Sequence, residues 1–229
     1  HGVHRRQRQM CIRDSHSALE AQQFSCTLLH GVTGSGKTEV YFAAIQEVLD
    51  QQRQVLLLVP EIGLTPQLMD RIATRFAVPV VSMHSALNDR ERHIAWWHSA
   101  SGDANIIVGT RSAIFSPFAN LGLIVVDEEH DASYKQQDGV RYQARDVAIY
   151  RAKKANIPII LGSATPALET YANAQSGKYQ LSSLTRRATD TALPKVELVD
   201  LNLQPSNDGL SPALMEAIKY TLANSQQVM

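Results

Sequence analysis

The chain has 229 residues, 44% hydrophobic and 19% charged, which suits one large domain, or one plus part of another, and excludes global disorder. Its 22 basic and 22 acidic residues cancel, so any nucleic-acid site must be a local patch and not an overall field. No apolar run approaches the roughly 20 residues that span a bilayer, and the two cysteines, Cys11 and Cys26, have no metal-like spacing. The chain itself therefore offers no zinc site and no disulfide framework, and a reducing cytoplasm is the expected compartment.

Residues 1–15 carry a net charge of +3, leaving −3 for the rest. No apolar h-region of a secretory signal follows this basic start. The stretch "RRQRQMCIRDS", Arg5 to Ser15, has no hydrophobic period and no capping pattern. It looks like the in-frame translation of a transposase sequencing adapter; the plainer alternative is a disordered basic tail. Residues 1–15 are expected to be non-native, with the true N-terminus missing.

From residue 16 short apolar runs alternate with helical patterns. Strands are expected at 27–30, 55–59, 80–84, 105–109, 121–126 and 158–161. Helices are expected to begin near Lys37, Thr65, Asn88, Ala144 and Ala167. Continuous Val/Ile/Leu runs suit strands covered on both faces, and alternation with helices implies a parallel sheet. The expected fold of 16–187 is a doubly wound α/β domain with helices on both faces, its ligands at the carboxyl ends of the strands. Residues 188–229 read as linker, short strand, second linker and the amphipathic helix "PALMEAIKYTLANSQQ", the start of a further region that is cut short.

"GVTGSGKT", Gly31, Val32, Thr33, Gly34, Ser35, Gly36, Lys37 and Thr38, fits G-x-x-x-x-G-K-[ST] between an expected strand and an expected helix. Glycines let backbone N–H groups turn inward around phosphates, and the helix N-terminus adds a positive dipole end. Lys37 would reach the β- and γ-phosphates of a nucleoside triphosphate, and the Thr38 hydroxyl would hold Mg²⁺. The structural alternative is a glycine-rich turn that opens a helix.

"DEEH", Asp127 to His130, ends the most apolar strand candidate. In P-loop enzymes an acid here ligates Mg²⁺, and a following glutamate can polarise the attacking water. Adjacent strand residues face opposite ways, so both acids reach one site only if the backbone turns at the strand end. The alternative is an acidic turn with a helix cap.

Asp127-Glu-Glu-His130, with "GSATP" at 162–166 downstream, resembles the DExH box and motif III of superfamily 2 helicases. "PEIGLTPQ" at 60–67, "GTRSAIFSP" at 109–117 and "SYKQQDGVRYQARDVAIYRA" at 133–152 narrow the resemblance to the primosomal replication-restart helicases, the primosomal protein N′ family. The likeness covers about residues 18–229. It implies the first RecA-like lobe of an ATP-dependent 3′→5′ DNA helicase that acts at stalled forks in primosome assembly. Carried over by position, Lys37, Asp127, Glu128 and His130 are catalytic, and Ser163 and Thr165 couple nucleotide state to DNA. Pro60, Thr65, Thr110 and Arg111 lie on the DNA face. Tyr134, Lys135, Arg141, Tyr142 and Arg145 belong to an aromatic-rich loop that reports bound DNA. The implied cofactors are ATP and Mg²⁺. The implied partners are forked and single-stranded DNA, primosome proteins and single-strand-binding proteins, with no membrane.

The residues themselves speak less specifically. Residues 131–155 carry Lys135, Arg141, Arg145, Arg151, Lys153 and Lys154 against three acids, with Tyr134 and Tyr142 interleaved. Basic groups with flat aromatics suit single strands; an ordinary basic helix face is the alternative. Thr110, Arg111 and Ser112 are either phosphate contacts or a polar turn. His84 is either a packing histidine or one near DNA, and Trp96 and Trp97 read as core or half-buried.

The chain also departs from the family pattern. The adenine-reading segment before the P-loop, the zinc-binding cysteine cluster, the second lobe with its arginine finger and the fork-binding domains are not in it, so zinc is expected only in the family's C-terminal region. The rivals are another superfamily 2 translocase, a P-loop small-molecule kinase, and a stand-alone nucleotide-gated DNA-binding half-motor.

Overall fold

The structure, a computed structural model, describes residues 9–12, 23–185, 187, 196–203 and 209–228. Most of the 1–15 stretch therefore lies outside the described residues. Two compact units divide the chain at Asp190 and Thr191.

In the first unit seven parallel strands form one sheet: β1 (Cys26–Gly31), β2 (Gln54–Leu58), β3 (Val80–Met83), β4 (Ile106–Gly109), β5 (Leu121–Val126), β8 (Ile159–Ser163) and β9 (Gln180–Leu184). Their order is β3-β4-β2-β5-β8-β1-β9, every neighbouring pair parallel. A short antiparallel pair, β6 (Lys135–Gln136) and β7 (Tyr142–Gln143), stands apart from the sheet. The helices are α1 (Lys37–Asp50), α2 (Pro66–Phe76), α3 (Asp89–Ser101), α4 (Ala144–Ala155) and α5 (Leu168–Gln175).

Alternation along each strand sends successive side chains to opposite faces. In β2, Val55 and Leu57 join a core with Val40, Ile45, Ile72 and Phe76 of α1 and α2. Leu56 and Leu58 join the other, with Ala95, Ala148, Ala152 and Ala174 of α3, α4 and α5. Both faces are covered, so the central strands read as unbroken apolar runs.

Local chemistry fixes the helix starts close to where the sequence put them. Thr65 caps α2 by accepting from the Leu68 N–H at 3.2 Å, ahead of Pro66 in the first turn. Asn88 and Glu91 form a reciprocal capping box at α3, which ends on Gly102 at φ 85°.

Two features carry no signal in the sequence pattern, and one expectation is corrected. β9 has no apolar run, because only Ser182 and Leu184 of its five residues are buried; it is an edge strand recognised through its pairing with β1. Residues 9–12 form a helical turn whose Cys11 is 3% exposed and packs into the core beside Leu184. In the second unit, residues 196–203 form no strand: Val196 and Leu198 are 82% and 95% exposed, and apolar alternation without a partner edge makes no ladder. That unit does contain the expected helix, α6 (Pro212–Ala223), capped by Ser211.

Candidate functional site

The site lies at the carboxyl ends of β1, β5 and β8, which are adjacent or nearly so in the sheet. β1 runs into the Gly31–Gly36 loop, and α1 starts at Lys37. Gly34 and Gly36 hold φ of 77° and 92°, where a Cβ is strained, and Gly36 serves as the helix N-cap. A Cβ on Gly31 would stand 2.6 Å from Ser35 Oγ, so the loop can close only around glycine. Ser35 Oγ is buried with no hydrogen-bond partner. A donor without an acceptor at the mouth of a helix N-terminus is what a bound phosphate would satisfy. The residues present therefore fit a nucleotide phosphate.

Lys37 is 7% exposed. Its Nζ donates to the Gly31 carbonyl at 2.9 Å and lies 3.5 Å from Glu128 Oε1. The strand-end turn demanded by the sequence is present: Glu128 has φ 44°, in the left-handed region, directly after Asp127. The turn is pinned from both sides, Asp127 N–H donating to the Leu58 carbonyl at 2.9 Å and Glu129 N–H to that of Gly162 at 3.0 Å. Lys37, Asp127 and Glu128 thereby converge with the half-exposed Thr38 close by in sequence.

Asp127 is held by two tyrosines, one of which the sequence reading had not singled out. The Tyr41 hydroxyl donates to Asp127 Oδ1 at 2.8 Å, and the Tyr134 hydroxyl donates to the Asp127 carbonyl at 2.7 Å. Burial, then the neighbouring Asp127 charge, pushes both phenols well above their ordinary value, so both remain donors. Tyr41 occupies the space over Gly162, where a Cβ would fall 1.5 Å from its hydroxyl oxygen. The glycine of "GSATP" is thus required by a residue 121 positions earlier, which no local pattern signals.

Burial raises the Asp127 carboxyl above its ordinary 3.8, opposed by the Tyr41 hydrogen bond. The stability consequence has a definite sign. Below the unfolded value the group is protonated in both states and costs nothing. As pH rises through the folded value the buried group must ionise, and folding loses free energy. Asp127→Asn is therefore expected to melt at a higher temperature than the parent chain at pH 7, with the gap closing as the pH is lowered toward 3.8. Thermal melts across that range check it; a lower melting temperature at pH 7 contradicts it.

His130 reaches from the β5 end to the β8 end. Its Nδ1 is 2.8 Å from Ser163 Oγ and its Nε2 is 3.2 Å from Thr165 Oγ1. Glu128 Oε2 stands 3.7 Å from Nδ1. The residues assigned to catalysis and those assigned to coupling are therefore in direct contact through one imidazole. Glu129, unassigned in the sequence, is 0% exposed and accepts from Arg145, from the Ala167 N–H at 2.8 Å and from the Thr170 hydroxyl at 2.9 Å. It fixes the start of α5 against the acidic turn.

The residues assigned to a DNA face divide. Lys135 and Arg141 are exposed and Tyr142 half-buried, and they line one groove of about 640 Å³ at the β6–β7 hairpin with Gln136, Gln137 and Asp138. Arg111 is half-buried, donating to the Ser133 and Lys135 carbonyls at 3.2 and 3.0 Å. Both bonds are donated by one terminal nitrogen of the guanidinium, Nη1. Thr65 spends its hydroxyl as the α2 cap but keeps a donor.

Four of the residues assigned to a DNA face are buried. Tyr134 is 0% exposed and cannot stack on a base. Arg145 is 9% exposed and paired with Glu129 at 3.1 Å and Asp146 at 2.9 Å, so its charge is consumed inside the fold. Pro60 and Thr110 are buried, their positions fixed by the strand ends they terminate. Arg151 donates to the Ile114 and Ser116 carbonyls and stacks over Phe118, anchoring the turn at 111–115. In the opposite direction, Trp96 and Trp97 are 46% and 59% exposed, not core. α3 buries only Ala95 and Ser99, so it approaches the sheet through small residues and leaves its indoles outside.

The family model for the DEAD/DEAH box helicase matches residues 13–174. Replication restart protein PriA of Haemophilus influenzae is 50% identical over 206 residues, covering 90% of this chain and 28% of that protein. PriA of Bacillus subtilis is 45% identical over 214 residues, covering 92% and 27%. The chain thus spans little more than a quarter of the length of these two relatives. Among solved structures, RecG bound to a three-way DNA junction matches with a TM-score of 0.61 at 21% identity, over 81% of this chain and 24% of that one. The Pyrococcus furiosus Hef helicase domain matches with a TM-score of 0.53 at 21% identity, over 76% and 38%. At that identity these two likenesses speak for the fold alone: a RecA-like α/β lobe. The chain belongs to the DEAD/DEAH box helicase family, and over 90% of its length it is similar to a replication restart protein PriA.

Proposed function

We propose that this chain is the ATP-binding lobe of a cytoplasmic 3′→5′ DNA helicase acting in primosome assembly and the restart of stalled forks. The observation that supports it most is the convergence of Lys37, Asp127 and Glu128 beside the glycine loop, joined through His130 to Ser163 and Thr165. DNA forks and single strands are the proposed substrate, with primosome and single-strand-binding proteins as partners. No helix among the described residues is long and apolar enough to cross a membrane. Zinc is proposed only for a part of the family's architecture outside this chain.

In this reading the Gly31–Gly36 amides cradle the triphosphate, and Lys37 exchanges its Gly31 carbonyl partner for phosphate oxygens. Thr38 and Asp127 would hold Mg²⁺, which supplies positive charge against the phosphate oxygens when bound. Glu128 accepts a hydrogen bond from the attacking water and orients it. Tyr41 and Tyr134 keep the Asp127 carboxylate and its backbone from rotating. A rearrangement of the acidic turn moves His130, and with it Ser163 and Thr165 on the way to α5. That is how nucleotide state is proposed to reach the strand.

The chain alone is expected to bind Mg²⁺–ATP weakly and to hydrolyse it negligibly, since the proposed second half of the cleft belongs to another lobe. Strand binding should be measurable. Titration of a fluorescent oligo-dT with the chain should show binding that falls with salt. The double variant Lys135→Ala/Arg141→Ala should lower the slope of log affinity against log salt by roughly 0.7 for each cation removed. DNA-stimulated turnover at tens per second by the chain alone would overturn the lobe reading; a salt slope identical in parent and variant would overturn the DNA face.

A further inference from the structure

Beside the hairpin groove lies a second one, of about 440 Å³, lined by His84 and Ser112 together with residues of α3. It opens at the carboxyl end of β3. Its walls include His84, Arg92, Trp96, Ser112 and Phe115, with no carboxylate among its lining residues. Phe115 is 59% exposed and meets the Tyr142 ring edge-on at 5.0 Å. Tyr142 lines the hairpin groove, so the two grooves share an aromatic wall. Arg92 and Trp96 also line a third, shallower groove with Asp89 and His93. The single acid there, Asp89, lies 3.8 Å from Arg92 and is fully solvated, so it offsets little of the guanidinium's charge.

We propose that the groove between Trp96 and Phe115 is a nucleobase-stacking subsite for single-stranded DNA, continuing the path that begins at the hairpin. This rests on the DNA reading above and extends it from the 109–117 motif, which holds Ser112 and Phe115, to Arg92 and Trp96 of α3, which lie outside the motifs. Folding alone would turn large indoles inward and small residues outward, and α3 does the reverse. Two aromatic walls, a cation, an imidazole and a hydroxyl, with no acid, match a base between flat rings and a phosphate at the rim. A volume of this size is in the range of small-ligand sites. The buried Met83 and Ser116 also line the groove, and the Ser116 carbonyl accepts from Arg151 at 2.7 Å, which ties that wall to α4.

The chain contains two tryptophans, 96 and 97, which makes the test direct. Trp97→Phe leaves Trp96 as the sole indole. Its fluorescence should be quenched saturably by an oligo-dT strand, with the same midpoint as the anisotropy of the labelled strand. Trp96→Ala should weaken strand binding roughly 5- to 150-fold, the range for one lost stacked base, and Trp96→Phe should recover most of it. If the Trp97→Phe chain binds the strand by anisotropy while its indole fluorescence stays constant, the groove belongs to another occupant, such as a partner protein's side chain, and the proposal fails while the DNA reading stands. If no strand binds the parent chain at all, both fail together.

Discussion

Lys37→Ala is expected to abolish measurable nucleotide binding while changing strand affinity by less than about threefold. The ammonium is held 2.9 Å from the Gly31 carbonyl and 3.5 Å from Glu128, at the point where the glycine loop would present phosphates. Removing one member of a desolvated, hydrogen-bonded charge pair costs about 2–5 kcal/mol, much of it from the charge left behind. At 1.4 kcal/mol per decade that is roughly 30- to 4,000-fold in affinity. Glu128 would also lose its cationic neighbour, so the site becomes net negative where a triphosphate must enter. The grooves proposed for DNA lie at β3, the turn at 111–115 and the hairpin, none of which Lys37 touches. Titration of a fluorescent ATP analogue and strand anisotropy, run on one preparation, separate the two functions. Unchanged nucleotide affinity would remove the P-loop from the mechanism. Loss of strand binding in parallel would mean that the two sites are not separate.

The second large effect is on stability. Arg145→Ala should destabilise the fold by about 3–5 kcal/mol, because it strips a buried carboxylate of its cation. Glu129 has no exposure at all, and its remaining partners, the Ala167 N–H and the Thr170 hydroxyl, carry no compensating charge. For a domain of this size that is roughly 6–20 °C in melting temperature. Adding Glu129→Gln to the Arg145→Ala background removes the charge, keeps one acceptor oxygen for the Ala167 N–H and gives an amide N–H that can donate to the Thr170 hydroxyl oxygen, and should restore much of the loss. Strand affinity, measured below the melting temperature, should stay near the parent value. A variant that melts normally but binds strands poorly would place Arg145 on the DNA face.

Arg145 illustrates where a linear pattern stops being informative. A run of basic side chains with interleaved tyrosines looks the same whether its charges meet phosphates or buried acids. Arg145 and Tyr134 are drawn inward by Glu129 and by the Asp127 carbonyl, partners 16 and 7 residues away on the acidic turn. Lys135 and Arg141 form no such ion pair among the described residues and stay exposed. The tryptophans failed in the opposite sense, because apolarity predicts burial only if a neighbouring element supplies a surface. The sheet takes Ala95 and Ser99 from α3 and leaves the indoles in solvent. β9 was invisible for a related reason: an edge strand with two buried residues needs no apolar run.

The sequence by itself determined the parallel sheet, the helix starts and the phosphate loop. Each rests on interactions within a few residues: apolar runs, caps such as Thr65 and Asn88, and glycines that accept left-handed φ. Only the tertiary structure decided that Tyr41 holds Asp127, that His130 bridges to Ser163 and Thr165, that Gly162 makes room for a tyrosine on α1, and that Trp96 faces solvent. Those outcomes depend on which strands become neighbours. Strand order is set by the packing of two faces at once, and contacts across 33 to 121 residues leave no local periodicity to read.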